Sequence, residues 1–134
     1  MGFINNAKII TYGKTKKVLV LNHLFDEAEK KINSFGMASN EELESREVFN
    51  SILNAIDIKN PKLWNELQTI ISLYLQQSLK HRYVCNIRLT KENEEKFDIL
   101  ERKCEARYGK NINSQELLFN SLLILFNNEV NGVV

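Results

Sequence analysis

Residues 80–92 read Lys80-His81-Arg82-Tyr83-Val84-Cys85-Asn86-Ile87-Arg88-Leu89-Thr90-Lys91-Glu92. From Cys85 onward the run alternates: Cys85, Ile87 and Leu89 share one face of an extended chain, Asn86 and Arg88 the other. β-branched and aromatic residues favour that extended form, so a strand is expected. Thr90 then caps a helix carrying Asn93, Phe97, Leu100, Cys104 and Tyr108 on one face, and Gly109 ends it. Asn113 or Ser114 caps a second helix through Leu117, Leu118, Leu122, Leu125 and Phe126.

That last helix is apolar nearly all round, since Leu117-Leu118-Phe119 and Leu122 to Phe126 leave little polar face. Such a helix needs burial on most sides. A chain of 134 residues has little core to offer it. The expectation is therefore a partner chain, most simply an identical one, in a homodimer or higher oligomer.

Upstream, a similar order recurs. Val18-Leu19-Val20-Leu21 is strand-like and apolar on both faces, so burial on both sides is expected. Asn22 is the expected cap of a helix through Phe25, Ala28, Ile32 and Phe35, stopped by Gly36. Ser39-Asn40-Glu41-Glu42 reads as a capping box for a helix through Val48, Phe49, Ile52, Leu53 and Ile56. Phe49-Asn50-Ser51-Ile52-Leu53 recurs in the second half as Phe119-Asn120-Ser121-Leu122-Leu123, which suggests a duplicated unit. Between the halves, Asn60-Pro61 opens a middle helix with an apolar stripe of Leu63, Leu67, Ile70, Ile71, Tyr74 and Leu75, expected to pack on the first half. The division is residues 1–60 as an N-terminal strand-helix-helix region, 61–80 as a connecting helix and 81–134 as the C-terminal module. The fold class is mainly α with short β-strands.

Charge narrows the function. The 18 Lys+Arg and 17 Asp+Glu leave a net +1, so bulk charge cannot grip an anion and any anionic partner must meet a local patch. Two stretches supply one: Lys8, Lys14, Lys16 and Lys17, and Lys80, Arg82, Arg88 and Lys91. Two Cys cannot build a disulfide framework, no secretory leader precedes them, and no apolar run reaches the ~18 residues of a membrane span. The expectation is a cytoplasmic protein with no membrane partner. His81, Cys85, Cys104 and His23 lack zinc-site spacing, so no metal and no cofactor are expected. No nucleophile–base constellation or phosphate-cradling glycine loop is present, which argues against an enzyme. The 17 Asn exceed what turns require and read as coding bias.

Asn86-Ile87-Arg88-Leu89-Thr90-Lys91-Glu92, followed by an amphipathic helix, Gly109, a polar loop, Ser114 and an apolar helix, resembles the ribbon-helix-helix family of DNA-binding proteins over residues 82–128. The resemblance implies a ribbon formed by one strand from each of two subunits. Cys85, Ile87 and Leu89 would face a helical core, and Val84, Asn86 and Arg88 would read the major groove of double-stranded DNA. It places phosphate contacts at Lys80, Arg82, Lys91, Lys110, Asn113, Ser114 and Gln115. Residues 1–60 would be a degenerate second copy, with Val18 and Val20 as its outward strand positions, Lys14, Lys16 and Lys17 as a second basic patch and a docking role toward another protein. Transcriptional repression and accessory work in plasmid transfer (conjugation) or partition are the roles it suggests. The competing class is a helical protein–protein interaction and oligomerisation module whose basic stretches are solvated surface.

Overall fold

The computed structural model describes residues 10–34, 45–75, 82–110 and 113–132. Within these, strand β1 (Tyr12–Leu21) leads into α1 (Asn22–Ser34) and α2 (Ser45–Ala55). Helix α3 (Pro61–Leu75) follows, then strand β2 (Arg82–Thr90), α4 (Lys91–Tyr108) and α5 (Ser114–Gly132). The protein is thus mainly helical with one two-stranded antiparallel sheet among the described residues. Lys8, Lys80, His81, Phe35, Gly36 and the Ser39–Glu42 capping box lie outside them.

Local signals account for most element ends. The Thr90 hydroxyl accepts a hydrogen bond from the Asn93 N–H at 3.2 Å, and Gly109 closes α4 at φ 91°, where a side chain would be strained. Asn60 caps α3 by accepting from the Lys62 N–H at 3.0 Å, with Pro61 in the first helical position. At α5 the cap is Asn113, whose Oδ1 accepts from the Glu116 N–H. Asn22 does not cap α1; it is the first helical residue, and its buried Oδ1 has no hydrogen-bond partner.

The strand pairing departs from expectation. β2 does not wait for a second subunit; it pairs with β1 of its own chain. In the register Thr15 faces Arg88, Lys17 faces Asn86, Val18 faces Cys85 and Leu19 faces Val84. The sequence pattern could not reveal this, because an antiparallel edge accepts a copy of itself or a similar strand from the other half of the chain with equal ease.

The inference that α5 requires a partner chain is corrected for the same reason. Leu117, Leu118, Phe119, Leu122, Leu123, Leu125 and Phe126 are all buried within the single chain. One core cluster takes side chains from both halves. Its centre is a run of rings from four helices. Phe25 and Phe49 lie 6.1 Å apart between centroids, Phe49 meets Phe119 edge-on at 4.8 Å, and Phe119 stacks on Phe97 at 4.2 Å. Such pairs add about 0.5–1.5 kcal/mol each beyond the area they bury. The middle helix α3 packs on α5, not on the first half as its position in the chain suggested.

Candidate nucleic-acid interface

One face of the ribbon seals the core. Val18, Val20, Cys85, Ile87 and Leu89 are each 4% exposed or less. The other face is open and carries two rows, Thr15, Lys17 and Leu19 from β1 and Val84, Asn86 and Arg88 from β2. Val84, Asn86 and Arg88 therefore stand outward, as expected. On β1 the expected parity was wrong: Val18 and Val20 point inward, and Thr15, Lys17 and Leu19 take the outward places. Thr15, Lys16 and Lys17 are all polar and Val18 to Leu21 all apolar, so no alternation in the sequence marked the outward side. The sequence places Lys17 only in a basic patch and marks neither Thr15 nor Leu19 as a contact residue.

Arg88 is held in place. Its Nε donates to the Gly13 carbonyl at 3.1 Å, and its guanidinium lies over the Tyr12 ring, 5.6 Å from the centroid. Gly13 sits in a register irregularity between Tyr12 and Thr15, where the strand carries an extra residue. A β-carbon at position 13 would meet the Glu94 carboxylate, the mobile end of a side chain that can swing aside. A hydrogen bond through Nε leaves the paired Nη atoms as donors for a planar acceptor pair.

Other expected contact residues are distributed unevenly. Lys14, Lys17, Lys91, Lys110 and Asn113 are exposed, Lys16 and Gln115 half-buried. Lys14, Lys16 and Lys91 line a groove of about 410 Å³ with Tyr12, Gly13, Glu94 and Asp98. Arg82 is committed to an ion pair with Glu116 at the first turn of α5. Ser114 is buried, and its hydroxyl donates to Glu101 Oε2 at 3.1 Å. Lys80 falls outside the described residues.

The ribbon is braced from beneath by a few asparagines, and for these the reading as coding bias is corrected. Asn50 in α2 donates from Nδ2 to the Arg88 carbonyl at 3.1 Å and accepts at Oδ1 from the Thr90 N–H at 3.0 Å. Asn120 in α5 donates to the Leu19 carbonyl at 3.0 Å and accepts from the Leu21 N–H at 2.9 Å. Each helix thus clamps the strand of the other half. Buried Asn93 extends the first clamp, donating to Asn50 Oδ1 and Asn54 Oδ1, and buried Asn127 donates to the Leu24 carbonyl.

Burial pushes the Cys104 thiol up to about 11, with Glu101 and Glu105 adding to the effect. Burial likewise raises the Tyr74 phenol to about 12, with Glu116 raising it further and Arg82 opposing. Among the described residues no group of three or more His, Cys, Asp or Glu gathers to hold a metal ion. Among them, too, no helix is long and apolar enough to cross a membrane.

Compared with protein-family models, curated proteins and solved structures, the chain has no significant match.

Proposed function

We propose that this protein binds double-stranded DNA in a sequence-specific manner, inserting the β1–β2 ribbon into the major groove as a single-chain version of a ribbon-helix-helix dimer. The observation that carries the reading is the division of the ribbon into a sealed apolar face and an open face bearing Thr15, Lys17, Leu19, Val84, Asn86 and Arg88. A two-stranded ribbon has the width of the major groove, and Arg, Asn, Lys and Thr match base-edge donors and acceptors there. The Asn50 and Asn120 clamps fix the ribbon on its helical base, which spares the ordering cost on binding. Lys14 and Lys91 are exposed beside the Arg88 end, Lys110 and Asn113 are exposed between α4 and α5, and all four suit phosphate contact. Repression of transcription, or an accessory role in plasmid transfer or partition, is the biological setting this reading favours, in the cytoplasm.

The test is fluorescence anisotropy with the full chain on duplexes enriched from a random pool, at several salt concentrations. Expected is a preferred duplex bound well above random sequence, with affinity falling as salt rises. Equal, weak affinity for every duplex would reject base reading. No binding at low salt would favour the protein-interaction module instead.

A further inference from the structure

A homodimeric ribbon presents the same residues twice around its twofold axis and so reads a palindrome. This ribbon has the axis without the identity. One constant offset along the chain carries Thr15, Lys17 and Leu19 onto Val84, Asn86 and Arg88, and Lys17 faces its own counterpart, Asn86, at the centre of the register. At one end Thr15 faces Arg88; at the other Leu19 faces Val84. The halves of the open face are therefore chemically different.

The contrast extends beyond these pairs. At the Arg88 end the bulge at Gly13 pins the guanidinium, and Lys14 and Lys91 stand exposed beside it, with Glu94 and Asp98 in the adjoining groove. At the Leu19–Val84 end the two side chains are 37% and 58% exposed and apolar, and the nearby base Arg82 is tied to Glu116. The first end offers donors and positive charge; the second offers hydrocarbon and a neutralised cation.

Resting on the reading that this face enters the major groove, we infer that the target is a non-palindromic duplex bound in one orientation. Arg88 specifies a guanine at one end, and Leu19 with Val84 contacts thymine 5-methyl groups at the other. Arginine suits the paired acceptors of guanine, and an aliphatic side chain suits the thymine methyl, the apolar group of the major-groove edge. Positions 84 and 88 are four residues apart on one strand, roughly 13 Å, which separates the two contacts by about four base pairs. Thr15, Lys17 and Leu19 become specificity residues equal in standing to Val84, Asn86 and Arg88.

The experiment selects duplexes from a random pool with the full chain and sequences them. An asymmetric consensus with guanine at one end and thymine at the other is expected. The enriched duplex is then remade with deoxyuridine for each thymine, which deletes only the 5-methyl. Wild type should bind the uridine duplex about three- to fivefold more weakly. The exposed-site variant L19A/V84A should lose that discrimination while keeping its preference for guanine. Arg88→Ala should lose the guanine preference by about tenfold or more and keep the methyl discrimination. A palindromic consensus, or indifference of wild type to the uridine substitution, overturns the inference while leaving DNA binding intact. Failure to bind any duplex at low salt overturns the underlying DNA-binding reading as well.

Discussion

Asn50 and Asn120, one in each half of the chain, make the same two hydrogen bonds to opposite strands. Each accepts from a strand N–H, that of Thr90 or Leu21, and donates to the carbonyl two residues earlier, that of Arg88 or Leu19. Their neighbours Phe49 and Phe119 touch edge-on at 4.8 Å. The recurrent Phe-Asn-Ser sequence is thus one structural device used twice, with each copy gripping the other half. The halves are interlocked, and neither strand is supported by its own helices alone.

Loss of either clamp should be costly. Asn50→Ala or Asn120→Ala strands a strand N–H and carbonyl that are buried or partly buried, at about 1–3 kcal/mol for each orphaned group. Urea denaturation followed by circular dichroism should show each variant destabilised by about 2–4 kcal/mol. A change no larger than that of an ordinary surface substitution, about 0.5 kcal/mol, would show that water replaces the side chain without loss.

Phe119 should be the most sensitive core position. Its ring contacts Phe49 and Phe97 and is fully buried. Phe119→Ala is expected to cost about 3–5 kcal/mol, enough to threaten folding of a domain this small. Phe119→Leu should cost less, and thermal melts of the two variants give the ordering.

The ribbon closes within one chain, so its stability should not depend on concentration. Urea midpoints measured over a hundredfold range of protein concentration are expected to coincide, and sedimentation at micromolar concentration should give a species with the mass of a single chain. A midpoint that climbs with concentration would restore the two-subunit ribbon. A fragment of residues 80–134 lacks β1, α1, α2 and α3, and should be unfolded or should pair with itself.

Alkaline pH should weaken the fold. Cys104 and Tyr74 hold their protons more tightly folded than unfolded, with pKa values raised from 9.0 to about 11 and from 10.0 to about 12. Below about pH 8 both groups are protonated in either state and nothing is lost. As pH rises from about 9 through 12 the unfolded chain releases these protons first, so stability falls. Denaturation midpoints at pH 8, 10 and 11 should decline in that order, and Cys104→Ala should flatten the part that begins near pH 9. At pH 8 neither buried cysteine should react with Ellman's reagent until the protein is unfolded.

Local chemistry was legible in the residues themselves. The alternation of Cys85, Ile87 and Leu89 marks a half-buried strand, Thr90 and Gly109 bracket α4, and Asn60-Pro61 opens α3. Val84, Asn86 and Arg88 could be placed outward from parity alone. These features depend on neighbours within a few residues, where dihedral preference and side-chain period decide the outcome. β1 misled because the unbroken apolar run from Val18 to Leu21 erases the alternation that would show which side faces the core.

What the linear chain determined by itself, then, is the inventory: two strands, their flanking helices, the caps at Asn60 and Thr90, and a final helix too apolar to stand in water. Tertiary structure alone decided who pairs with whom. A strand edge offers the same donors and acceptors to any suitable partner, and a buried asparagine is indistinguishable from an exposed one until the backbone groups it satisfies are known. That non-local choice placed Leu19 beside Val84 and Thr15 beside Arg88, and so gave the ribbon two unlike ends.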